Sequence, residues 1–166
     1  MEIQNEATFK AVLFRKLVPY FDIRPEVTGW HLLGQKLRID ALLKPRFIVE
    51  NVMLGLEVKA FETRSDVSVG DYTAALKQAI DYSLCRFEGR LPDLVLLYPG
   101  ILSGPTHKGY FAAVRDLGVR LAGQFRIGEL KERNGRFAIY ISDTPLWRSN
   151  YGLTGAGKTF RWTRGL

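Results

Sequence analysis

LRIDALLKPRFIVENVMLGLEVKA, residues 37–60, contains two apolar runs that charge interrupts in a regular way. Over residues 37–43 the alternation of a β-strand puts Ile39, Ala41 and Leu43 on one face and Arg38, Asp40 and Leu42 on the other. Pro45 ends that strand, because proline has no N–H to give to a ladder. Over residues 52–60 the same grammar puts Leu54, Leu56 and Val58 on one face and Gly55, Glu57 and Lys59 on the other. A carboxylate in so apolar a strand is costly unless it is solvated, paired or bound to a metal. Pairing of these two strands brings Asp40 beside Glu57 and Lys59.

Working outward, residues 6–20 read as an amphipathic helix, with Phe9, Val12, Leu13, Leu17 and Tyr20 at helical spacing and Asn5 able to cap the start. Residues 27–33 form a strand that turns through Gly34-Gln35-Lys36 into the strand at 37–43. After a polar, turn-rich stretch at 61–70, Asp71 opens a helix to about Phe87, with Tyr72, Leu76, Ala79, Ile80, Leu84 and Phe87 on its apolar stripe. LVLLYPG, 94–100, suits a buried strand lying parallel to a neighbour after a helical crossover. A helix is expected at 109–122, and FRIGEL with RFAIYIS reads as a late hairpin around Lys-Glu-Arg-Asn-Gly. The order is α-β-β-β-α-β, then a helix, a hairpin and a basic tail, divided as a body of residues 1–143 and a tail of residues 144–166.

Composition sets the bounds. The 166 residues, 46% hydrophobic and 25% charged, suit one globular domain able to bury a core without disulfides. The single cysteine, Cys85, excludes an internal disulfide, a Cys-rich zinc site and a four-cysteine iron–sulfur cluster. No basic flank followed by an apolar run opens the chain, and no apolar stretch approaches the roughly 18 to 20 residues that span a bilayer, so the expected location is the cytoplasm. A net charge of +7 and a pI near 9.7 favour a polyanionic partner, since Lys and Arg gain affinity for phosphates by releasing condensed counterions. Residues 144–166 hold Arg148, Lys158, Arg161 and Arg164 and no acid, so +4 of the +7 lies there.

Asp40, Glu57 and the backbone carbonyl of Val58 are hard oxygen donors of the kind that hold Mg²⁺, for which Mn²⁺ can substitute. Such an ion activates water and stabilises charge on a phosphate, and Lys59 is placed to orient that water and offset the developing charge. Asp40, sixteen intervening residues and then Glu57-Val58-Lys59 resembles the PD-(D/E)XK nuclease superfamily, whose common core has the α-β-β-β-α-β order. The resemblance covers residues 5–98. It implies an α/β, restriction-endonuclease-like fold with a mixed central sheet flanked by helices. The implied activity is Mg²⁺-dependent hydrolysis of DNA phosphodiesters, in replication, recombination, repair or defence.

In LKQAIDY, Gln78 and Tyr82 form the Q-x-x-x-Y pair of the RecB-like branch, on one helical face, able to meet DNA or brace the metal site. The same branch implies a site role for an acid on the first helix, here Glu6, which otherwise complements the helix dipole. Ile39 stands where the superfamily commonly has proline, and the cysteines of its iron–sulfur members are absent. His31 and His107 have no partner at metal-ligand spacing and read as structural. GLTGAGKT, 152–159, matches a phosphate-binding loop formally, but SNY rather than a buried strand precedes it. The tail reads instead as a basic arm, with Trp147, Tyr151, Phe160 and Trp162 available to stack on bases or to dock on a protein partner or second subunit. The alternative to an enzyme is a nuclease-fold module that binds nucleic acid or a protein partner without cutting.

Overall fold

Helix α1 (Glu6–Leu17) stops short of the expected residue 20, because Pro19 disfavours helical backbone at Val18 and has no N–H of its own. The computed structural model describes residues 6–59, 69–98, 118 and 121–155. After α1 the chain makes an antiparallel meander, β1 (Phe21–His31), β2 (Lys36–Pro45) and β3 (Leu54–Val58). Strand β1 starts six residues before the expected 27. Pro25 does not break it, because β1 is paired only to β2 at that point and the missing N–H faces away from any ladder.

Helix α2 (Val69–Ser83) crosses over to β5 (Leu94–Tyr98), which lies parallel to β3 in the register Glu57↔Leu97. Every residue of β3 and β5 is buried, as a strand covered on both faces requires. The helix was expected to run to Phe87. It ends at Ser83 instead, and Cys85–Phe87 forms β4, pairing with the end of β1. Gly29 permits that pairing: a Cβ there would lie 2.5 Å from Phe87 Cδ1 and 2.7 Å from the Arg86 carbonyl oxygen.

Strand β6 (Ile127–Arg133) runs parallel to β5, and the expected hairpin joins it to β7 (Arg136–Ile141). The connection is tighter than the five residues expected. Asn134 and Gly135 make it alone, with φ of 52° and 72°, which matches the two-residue turn favoured by twisted strands. The helix expected at 109–122 falls largely outside the described residues, which show helical backbone at 121–124.

Residues 144–155 do not form a free arm. Strands β8 (Thr144–Arg148) and β9 (Gly152–Leu153) extend one nine-stranded mixed sheet of order β4-β1-β2-β3-β5-β6-β7-β8-β9. GLTGAGKT therefore begins in an edge strand. Its residues 156–159, with Phe160, Arg161, Trp162 and Arg164, lie outside the described residues.

The sheet is curled. Strands β1 and β8 are six places apart, ~29 Å in a flat sheet at ~4.8 Å per strand. Yet the rings of Phe21 and Trp147 are 5.4 Å apart. Trp147 also stacks on Phe47 at 4.6 Å and meets Tyr20 edge-on at 5.3 Å. It is 2% exposed, so it is core and not a ring offered to bases. On this inner face Leu13 and Leu17 of α1 pack with Ala41, Leu43, Leu54, Leu56 and Val58. The other face carries Tyr72, Ala75 and Ala79 of α2 against Ile39, Leu42, Val95 and Leu97. No helix among the described residues is long and apolar enough to cross a membrane.

Trp147→Ala is expected to cost about 3–5 kcal/mol, the usual penalty for emptying a large aromatic site. Urea unfolding measures it; a loss under about 1 kcal/mol means that Trp147 does not hold the curl.

Candidate active site

The ladder between β2 and β3 has its last pair at Ala41↔Leu56, and two strands that part there leave the Val58 N–H without a backbone partner from β2. Asp40 supplies one. Its Oδ2 accepts the Val58 N–H at 2.8 Å. The β1 side is irregular at the same level, with Glu26, between the pairs Pro25↔Ala41 and Val27↔Ile39, at φ 54°. A non-glycine residue in that region costs energy and is common beside functional sites. The expected alternation of β2 fails here too. Ile39 packs with Leu42 on the α2 face, while Ala41 and Leu43 pack on the α1 face, because the strand rotates as it leaves β3.

The other carboxylate oxygen of Asp40 faces α1. Lys10 Nζ donates to Asp40 Oδ1 at 2.5 Å and pairs with Glu6 at 2.8 Å. Burial alone would lower the Lys10 pKa, but hydrogen bonds to Asp40 and Glu6 outweigh it and hold the ammonium above its ordinary range. The hydrogen bond from Lys10, with its charge, keeps Glu6 below the ordinary carboxylate range. Glu6 thus reaches the site through Lys10. Lys10 itself escaped the sequence reading, although its i, i+4 spacing from Glu6 was a usable signal.

Glu57 is only 4% exposed. Burial, together with the charge of Asp40, pushes its pKa up to about 7, against the pull of Lys59. Lys59 Nζ lies 2.7 Å from Glu57 Oε1 and donates to Gln78 Oε1 at 2.6 Å. Gln78 Nε2 donates to Tyr82 Oη at 2.7 Å, and Tyr82 Oη donates to the Arg38 carbonyl at 2.8 Å. Burial and the nearby charge of Glu57 keep the Tyr82 hydroxyl protonated, with its pKa above the ordinary range. Gln78 and Tyr82 therefore tie Lys59 on one side to the backbone of β2 on the other. The six residues singled out from the sequence fall in two bonded sets, Glu6 with Asp40 through Lys10, and Glu57 with Lys59, Gln78 and Tyr82, and the charge of Asp40 acts on Glu57 between them.

Arg148 is exposed at the end of β8, remote in register from β3, with Nη2 donating to Tyr140 Oη at 3.4 Å. His31 is buried, and its Nδ1 accepts the Leu33 N–H at 3.1 Å, a structural role. Among the described residues no three His, Cys, Asp or Glu side chains converge as a ready metal cage. The donors nevertheless suit a hard cation: burial and the charge of Asp40 raise the cost of ionising Glu57, and a cation beside it relieves that cost.

In metal-free protein the Glu57 carboxyl binds a proton more tightly folded, at about 7, than at its ordinary 4.5. Its contribution to stability is therefore full below about 4.5 and is lost as pH rises through about 7. Glu57→Gln is expected to remove that slope and raise the melting temperature at pH 8 by several degrees, at ~2–4 °C per kcal/mol. Parallel melting curves from pH 5 to 8 for both proteins overturn this. No family model, curated protein or solved structure matches the chain.

Proposed function

We propose that the chain is a metal-dependent nuclease hydrolysing DNA phosphodiester bonds with Mg²⁺, or Mn²⁺ in its place. The observation that carries this is two carboxylates, Asp40 and Glu57, held where β2 and β3 part, with Lys59 fixed beside Glu57 by Gln78. A restriction-endonuclease-like core is supported by the succession α1-β1-β2-β3-α2-β5, with the first three strands antiparallel and β5 parallel to β3. The short β4 is an addition to that order.

Asp40, Glu57 and the Val58 carbonyl would hold the ion, which supplies activation of water and stabilisation of charge on the phosphate. Glu57 with a pKa near 7 is ready to ionise at neutral pH once a cation offsets the cost. Lys59 points its ammonium at the same place, where it orients water and offsets charge on the departing oxygen. Gln78 keeps that ammonium from swinging away, and Tyr82 keeps Gln78 in place. Lys158, Arg161 and Arg164 add phosphate contacts from the chain's last residues.

One observation favours the second reading, a nuclease-fold module that binds nucleic acid or a protein partner without cutting. Lys10 already neutralises Asp40, as a cation would. Metal titration and cleavage decide between the two. Asp40→Ala and Glu57→Ala are expected to abolish Mg²⁺-dependent cleavage of labelled linear, branched and single-stranded DNA while keeping most DNA affinity. Lys59→Ala should lose most turnover but keep metal binding. Normal turnover in the two acid variants sinks the assignment, as does wild-type protein that binds no divalent ion.

For the last residues, Lys158→Ala and Arg161→Ala should each flatten the log–log salt dependence of DNA binding by about 0.7 to 0.9. An ATP-dependent loss confined to Lys158→Ala would restore the phosphate-loop reading of GLTGAGKT.

A further inference from the structure

The hairpin of β1 and β2 has one face in the core and one in water. Along the end of β1 the burial alternates, with Gly29 and His31 buried and Thr28 and Trp30 exposed. Gly29 and His31 lie in register with Phe87 and Cys85, which belong to the core on the α2 side, so Trp30 points the other way, into solvent. It is 58% exposed, and among the described residues no aromatic ring or cation packs on its indole. A lone exposed apolar side chain needs no explanation. Its neighbours set Trp30 apart.

Trp30 is in register with Lys36 of β2 on one side and with Arg86 of β4 on the other, so three exposed side chains stand abreast on one open face. Two strand spacings put the backbones of the two cations ~10 Å apart, with the indole between them. Neither Lys36 nor Arg86 is in an ion pair among the described residues. Two residues along β2, exposed Arg38 continues the face toward Asp40. Arg38 is held by Glu26 at 3.0 Å, in a pair whose side chains keep 70% and 48% of their surface. A pair so exposed is worth little, and a phosphate can take the place of the acid.

We infer that this face holds a single-stranded nucleic-acid segment, with one base stacked on Trp30, the phosphates to either side of it on Lys36 and Arg86, and a further phosphate on Arg38. The inference rests on the nuclease reading and names its substrate class, a strand with unpaired bases. An indole offers its face to any base while flanking cations track the backbone, the combination by which proteins hold single strands without reading sequence. A duplex keeps its bases within the stack and has none to give Trp30. Leu32 and Leu33 widen the apolar surface at the hairpin tip, yet a second copy of the chain suits the face less. About a two-fold axis the face would meet itself, setting one cationic row against another.

The test uses the full chain with single changes at these exposed positions: Trp30→Leu, Trp30→Phe, Lys36→Ala and Arg86→Ala. Binding of a fluorescein-labelled 12-nucleotide single strand is followed by anisotropy in EDTA over a range of salt, beside the blunt duplex of the same sequence. Trp30→Leu keeps an apolar side chain without a π-face, and should weaken single-strand binding about tenfold with the salt slope unchanged. Trp30→Phe should recover most of that loss. Each cation change should flatten the single-strand slope by about 0.7. Full single-strand affinity in Trp30→Leu overturns the inference, as do equal losses on the duplex, or a wild-type dimer in sedimentation that Trp30→Leu dissociates. Mg²⁺-dependent hydrolysis of bis(p-nitrophenyl) phosphate by the unaltered protein bears on the nuclease reading alone. Hydrolysis without single-strand binding overturns the inference and spares that reading; single-strand binding lost in Trp30→Leu, without hydrolysis, does the reverse.

Discussion

A single hydrogen bond, from the Val58 N–H to Asp40 Oδ2, lets β2 and β3 part without leaving a buried donor unsatisfied. Where a backbone carbonyl of β2 would otherwise serve, a side chain does, and that side chain carries a charge. The parting opens a gap in an otherwise apolar sheet. Lys10 reaches it from the α1 side and Lys59 with Gln78 from the α2 side, so the site joins both faces of the sheet at the one level where the ladder fails. The rotation of β2 at Asp40 and the unusual backbone of Glu26 are the local cost of that opening.

Charge in the gap is closely balanced. Asp40 is met by Lys10 and Glu57 by Lys59, and burial of Glu57, with the charge of Asp40 beside it, appears as the raised pKa of Glu57. Desolvation makes every one of these charges expensive alone, which is why removing one member of such a set costs more than removing a pair. A second buried glutamate, Glu129 on β6, is likewise paired with a lysine two residues on, Lys131.

The curl of the sheet is a separate achievement of the aromatic residues. Trp147 sits between Phe21, Tyr20 and Phe47, which come from the opposite end of the strand order, and so turns an open nine-stranded sheet around α1. The curvature buries β7 and β8 side chains such as Ile139 and Leu146 in the core shared with α1, and it leaves Arg148 exposed at the end of β8.

Residues 37–60 by themselves determined a good deal: strands at β2 and β3, two acids and a lysine at their neighbouring ends, and, with the Gln78–Tyr82 spacing, a helical face to brace them. These follow from local rules, since alternation, helical spacing and the cost of a charge in an apolar run need no knowledge of distant residues. Strand β5 was legible for the same reason, being apolar throughout. Only the tertiary structure decided the rest. Three residues make β4 because Gly29 lets β1 come close, and a helical stripe through Phe87 looked equally good from within the chain. Lys10 became part of the site because α1 lies over the gap. Trp147, which among basic neighbours looked like part of an arm, became core because the sheet bends back on itself, and bending is a property of nine strands together rather than of any one stretch of sequence.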